Sequence, residues 1–82
     1  MDKLRALTVF RRVVELGSFK AAADDLNLSK AAVSKNIYEL EDYLQSPLIQ
    51  RTTRKLHVTD QGKSYYQQIC QVLDSLAPVS YT

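Results

Sequence analysis

The chain has 82 residues, 45% of them hydrophobic and 24% charged, with a net charge of +2. That is the composition of one small globular domain, and it excludes a two-domain enzyme and a disordered chain. Cys70 and His57 are the only residues of their kinds, so neither a disulfide nor a structural zinc site is expected, and no cofactor is implied. No apolar run approaches the roughly 18 residues of a membrane span, and Met1-Asp2-Lys3-Leu4 does not open a signal peptide. A soluble, cytoplasmic protein is expected. A domain this small buries only about 60–65% of its unfolded surface, and a partner subunit is the common remedy.

The first segment places Leu4, Leu7, Phe10, Val13 and Val14 at helical spacing, which predicts an amphipathic helix stopped by Gly17. Ser18 is placed to cap a short second helix carrying Phe19, Ala22, Ala23 and Leu26 on one face. After the turn Asn27-Leu28, Ser29 is placed to cap a third helix running from about Lys30 to Leu44, with Pro47 marking its end. Two helices joined by so short a turn form a helix-turn-helix.

On the third helix Val33, Ile37, Leu40 and Leu44 fall within an arc of roughly 60°, and Lys30, Ala31, Ser34, Lys35 and Tyr38 on a separate arc of roughly 140°. The first arc docks to a core and the second is presented outward. The outward arc is small, polar or basic near its start, whereas Glu39, Glu41 and Asp42 gather near its end. That order opposes the helix dipole, a placement that suits a cationic task at the N-terminal end or simple solubility.

Leu48-Ile49-Gln50-Arg51 and Lys55-Leu56-His57-Val58 read as two short strands around a polar tip, Thr52-Thr53-Arg54. Leu56 and Val58 are expected to face inward, Lys55 and His57 outward. Residues 48–63 hold Arg51, Arg54, Lys55 and Lys63 against Asp60 alone. On charge alone this segment reads equally as a solvated loop or as a footprint for phosphate.

Thr59 is placed to cap a fourth helix with Tyr65, Ile69, Val72 and Leu76 on one seam and Tyr66, Cys70 and Leu73 on a second. The stripe is broader than one small domain is expected to cover and suggests dimerisation through Tyr65, Tyr66, Ile69, Val72, Leu73 and Leu76; the alternative is a helix packed wholly within the monomer. The expected architecture is mainly α: a winged helix-turn-helix, with three helices and a two-stranded wing, over residues 1–58. A linker and dimerisation helix over 59–77 and a flexible tail over 78–82 complete it.

Gly17-Ser18-Phe19, Ala22-Ala23, Leu26, Leu28-Ser29, Ser34-Lys35, Ile37, Leu40-Glu41, Leu44, Leu48, Arg51-Thr52, Arg54, Leu56, Val58-Thr59 and Gly62 stand in order and at the spacing of a known motif. With this set the chain resembles the DNA-binding domain of LysR-type transcriptional regulators over about residues 2–76. The resemblance implies a winged helix-turn-helix, a linker helix through which two subunits pair, and a larger effector-binding domain in the full regulator. A small-molecule inducer is implied only if such a domain exists. The sequence departs from the family pattern in three places: Lys30-Ala31 replaces the usual Gln-Pro, Gln45 replaces a common glycine, and Ile49 replaces a common aromatic.

The expected partner is double-stranded DNA. Lys30, Ala31, Ser34 and Lys35 are the candidates for reading base edges in the major groove. Ser18, Lys20, Ser29, Asn36, Arg51 and Arg54 are the candidates for phosphate or minor-groove contact. No glycine-rich phosphate loop, nucleophile with a base, or metal set accompanies them, so no enzyme activity is expected. A winged helix that binds protein instead would present an apolar third helix, and this one is basic and polar.

Overall fold

A computed structural model describes residues 3–51 and 56–76. Four helices and a two-stranded antiparallel sheet follow in the order α1 (Lys3–Leu16), α2 (Phe19–Leu26), α3 (Lys30–Leu44), β1 (Ile49–Arg51), β2 (Leu56–Val58) and α4 (Asp60–Leu76). The expected mainly helical winged architecture is therefore present. The expected tip Thr52-Thr53-Arg54, Lys55 of the expected second strand, and residues 77–82 lie outside the described residues.

The helix boundaries follow from local chemistry. Gly17 adopts φ +70° and its N–H donates to the Val13 carbonyl at 2.8 Å, the left-handed stop that glycine makes without strain. Ser18 Oγ accepts from Ala21 N at 3.2 Å and Ser29 Oγ from Ala32 N at 3.0 Å, so both predicted caps are made. Thr59 Oγ1 accepts from Gly62 N at 3.0 Å and starts α4 one residue later.

Gln45, where the family commonly has glycine, closes α3 at φ 54° and ψ 38°. A side chain in this left-handed region costs on the order of 1 kcal/mol. Gln45→Gly should therefore raise stability by up to about 1 kcal/mol, read from the denaturant midpoint with the slope unchanged. A lower midpoint would show that the glutamine side chain, which reaches the Asp42 carbonyl, outweighs the strain.

The core gathers Ala6, Leu7, Val9, Phe10 and Val13 of α1, Ala22 and Ala23 of α2, and Val33, Ile37 and Leu40 of α3, with Leu48, Ile49 and Ile69. The two alanines let α2 approach α1 and α3 closely. The predicted inner arc of α3 is the buried one, and Leu44 packs beside it. Leu4 departs from expectation: it is 53% exposed, whereas Val9, outside the predicted stripe, is buried. The wing pairs Ile49 with Val58, Gln50 with His57 and Arg51 with Leu56. Leu56 and Val58 are half-buried and His57 is exposed, which is the predicted alternation.

The fourth helix requires a correction. Ile69 is only 2% exposed and belongs to the chain's own core, and Tyr65 and Tyr66 pack against that core, with the Tyr65 ring 6.0 Å from the ring of Phe10. Ile69 is thus taken up by the chain's own core, and Tyr65 and Tyr66 are half-buried against it, so these three are not wholly surplus apolar surface. The sequence showed a stripe but not that α1 lies along it. Val72 remains 48% exposed and Leu73 half-buried, so the uncovered part of the stripe is narrower than expected and lies further along the helix.

Candidate nucleic-acid interface

The turn Asn27–Ser29 sets α3 so that its apolar arc is sealed and its opposite arc is open. Asn27 takes the left-handed conformation at φ 57°, a region asparagine tolerates better than most residues, and Leu28 N donates back to the Ala23 carbonyl at 2.9 Å. On the open arc Lys30, Ala31 and Lys35 are exposed, Ser34 is half-buried between them, and Tyr38 is 56% exposed two turns on from Ala31. All four candidate base readers, Lys30, Ala31, Ser34 and Lys35, therefore share one face in the first two turns of the helix. No acidic residue occupies the first turn of α3. Lys30 there adds to the positive end of the helix dipole and Lys35 follows in the next turn, which suits an anionic surface.

The remaining candidates are less uniform. Lys20 is exposed on α2. Asn36 is half-buried and its Nδ2 donates to the Ala32 carbonyl one turn back at 2.8 Å, so part of its donor capacity serves its own helix. Ser18 and Ser29 act as caps with their Oγ atoms, and each holds a helix N-terminus in place. Arg51 closes the described part of β1 opposite Leu56, and Arg54 lies outside the described residues.

Glu41 has a role that sequence reasoning missed. Its Oε2 accepts from Leu48 N at 2.8 Å and Ile49 N at 3.0 Å, tying the end of α3 to the start of the wing. Thr59 completes the clasp, donating from Oγ1 to the Pro47 carbonyl at 2.6 Å and from its N–H to the Leu48 carbonyl at 3.0 Å. The acid-rich end of α3 is thus partly a wing anchor. A Leu40-Glu41 pair ahead of a proline was the only sequence signal for it.

A second polar group joins three helices. Glu15 Oε2 accepts from Arg11 Nε at 3.2 Å and from the Tyr66 hydroxyl at 3.0 Å, while Oε1 accepts from Arg12 at 2.7 Å. Arg12 also reaches Asp25 of α2 at 2.9 Å, and Arg11 reaches Asp74 of α4 at 3.3 Å. Burial raises the Glu15 carboxyl, but donation by Arg11, Tyr66 and Arg12 outweighs it and holds the pKa below the usual value. Tyr66 is pushed up to about 12, by burial first and then by Cys70 and the Glu15 carboxylate.

Residues 4–63, which hold the helix-turn-helix with its open basic face, the two-stranded wing and the start of the fourth helix, are matched by the family described as bacterial regulatory helix-turn-helix protein, lysR family. The chain belongs to the LysR family. The domain is a LysR-type DNA-binding domain of a transcriptional regulator, and the family is one of regulators rather than enzymes.

Its relatives include the HTH-type transcriptional regulator YhjC of Escherichia coli K12, 46% identical over 77 residues, which are 94% of this chain and 26% of that protein. Another is the HTH-type transcriptional activator AaeR of the same strain, 40% identical over 79 residues, 96% of this chain and 26% of that protein. The chain therefore spans about a quarter of the length of the curated relatives it matches. Among solved structures, the BenM DNA-binding domain in complex with benA site 1 DNA superposes with a TM-score of 0.85 at 36% identity, covering 89% of this chain and 82% of that one. The DNA complex of the CbnR DNA-binding domain gives 0.84 at 28%, covering 88% and 83%. Among the described residues, no helix of this LysR-type domain is long and apolar enough to cross a membrane.

Proposed function

We propose that this LysR-type domain binds an interrupted palindromic operator as a homodimer, in the cytoplasm, with α3 in the major groove. The observation that carries the reading is the open N-terminal face of α3, where Lys30, Ala31 and Lys35 are exposed beside a capped, acid-free first turn. An α-helix fits the major groove, where base edges carry the distinguishing donors and acceptors. Lys30 or Lys35 donates to guanine O6 and N7, Ala31 meets a thymine methyl, and Ser34 donates or accepts. Lys20, Asn36 and the N-termini capped by Ser18 and Ser29 approach phosphates, while Arg51 and Arg54 extend from the wing to phosphate or the minor groove. The related domains crystallised on DNA support this placement.

Residues 1–58 form the DNA-reading unit and 59–77 the linker helix, although Ile69 makes the two share one core. Pairing of α4 through Val72, Leu73 and Leu76 sets two recognition helices in a two-fold relation, with half-sites a whole number of helical turns apart. An inducer would act only through an effector domain in a longer protein.

Lys30→Ala tests the placement, using sites selected from a random DNA pool. The variant should lose about 1–3 kcal/mol on the selected operator at one or two base positions, with little change on random duplex. Equal loss on every sequence would assign Lys30 to phosphate and move α3 out of the groove. A wild-type protein that binds the palindrome no better than its half-site would overturn the dimer.

A further inference from the structure

We propose that Glu15, with Tyr66 and Asp74, is a positioning site for operator spacing: it fixes the direction in which α4 leaves the helix-turn-helix. The inference rests on the dimer reading above and deepens it.

Ile69 is the one α4 side chain among the described residues that is fully buried, so it places α4 against α1 as a pivot places a lever. The start of α4 is seated on the wing, where Gly62 lies against the Leu48 carbonyl and Val58, so the polar links bear on the half of the helix from Tyr66 onward. The polar links lie on either side of it: Tyr66 precedes Ile69 by three residues and bonds Glu15, while Asp74 follows by five and pairs with Arg11. Along the helix axis those offsets are about 4.5 and 7.5 Å. Two attachments flanking a pivot determine a line, and both end on the same Arg11–Glu15 pair of α1.

Isolated surface ion pairs hold little. Glu15 differs because one carboxylate, its side chain 27% exposed, collects donors from α1 and α4 and continues through Arg12 to Asp25 of α2. The chain of contacts thus runs from α4, through α1, to the first helix of the helix-turn-helix.

Direction matters because the pairing residues Val72, Leu73 and Leu76 stand about 18–24 Å along α4 from its seat on the wing. Turning the helix-turn-helix by about 10° over such a distance displaces it by roughly 3–4 Å, comparable to the base-pair rise of about 3.4 Å. Two-fold symmetry applies the same displacement in the other subunit, so a loosened joint would let the dimer accept half-sites one or two base pairs nearer or farther apart.

The experiment compares the wild type with Glu15→Gln and with the double variant Tyr66→Phe/Asp74→Asn, each checked for cooperative melting. Affinities are measured for a selected half-site and for palindromes whose spacer changes one base pair at a time. The wild type should prefer one spacer by about tenfold over its neighbours, while both variants keep half-site affinity within about twofold and spacer preference falls below about threefold. An unchanged spacer profile in a folded variant would overturn the proposal. Half-site affinity that falls in step with spacer preference would also overturn it, by showing general damage. If Glu15→Gln does not fold, the double variant, which leaves the α1–α2 contacts in place, decides between these results. A wild type indifferent to the second half-site removes the dimer reading itself, an outcome visible before any variant is made.

Discussion

Gly62→Ala should destabilise this domain by about 3 kcal/mol, the upper end for a side chain forced into a filled space. A Cβ at Gly62 would overlap the Leu48 carbonyl oxygen and stand 2.7 Å from Val58 Cγ1. Neither neighbour is the free end of a flexible side chain. The Leu48 oxygen belongs to backbone that Thr59 N and Thr59 Oγ1 both hold, and Val58 is paired with Ile49 in the wing. Helix propensity acts in the opposite direction, because alanine is favoured over glycine inside a helix by about 1 kcal/mol. A net loss must therefore come from the close approach of α4 to the wing. For a domain of this size the melting temperature should drop by more than about 10 °C. Gly17→Ala is the control: nothing lies within 4 Å of its added Cβ, and only the strain of φ +70° remains. A Gly62→Ala melting temperature equal to that of Gly17→Ala would show that the wing base yields freely.

Glu41→Ala should cost about 2–4 kcal/mol, since hydrogen bonds to a charged acceptor contribute about 1.5–3 kcal/mol each and this carboxylate receives two. The N–H groups it leaves belong to Leu48 and Ile49, which are 1% and 3% exposed. Glu41→Gln keeps an acceptor oxygen without the charge and should lose less. Denaturant unfolding gives the cost, and amide hydrogen exchange locates it: Leu48 and Ile49 should lose protection while Val13 and Ile37 keep theirs relative to global stability. Unaltered protection at Leu48 and Ile49 in the alanine variant would mean that the wing is anchored elsewhere. Because those two residues lead into the strand that carries Arg51, weaker wing anchoring should also accompany weaker DNA binding.

Local chemistry was legible in the residues themselves. Ser18, Ser29 and Thr59 each stand where a serine or threonine oxygen satisfies a helix N-terminus, and each does so in the fold. The inner and outer arcs of α3 were separable because a helix has a fixed period, and Val33 and Ile37 are buried while Lys30 and Lys35 are exposed as that period requires. The ordered motif from Gly17 to Gly62 carried the family, and with it the winged fold.

What the sequence by itself determined was therefore the element order, the caps, the buried stripe of α3 and the basic face opposite it, since each depends on neighbours within a few residues. Only the tertiary structure decided how α4 is covered. Periodicity grouped Tyr65, Tyr66 and Ile69 with Val72 and Leu73, but a stripe does not state whether its partner is another subunit or α1 of the same chain. The same limit hid Glu41 and Glu15. Their hydrogen-bond partners lie up to 8 and 51 residues away along the chain, so a carboxylate that reads as solvated charge in the sequence becomes a wing anchor in one case and a three-helix junction in the other.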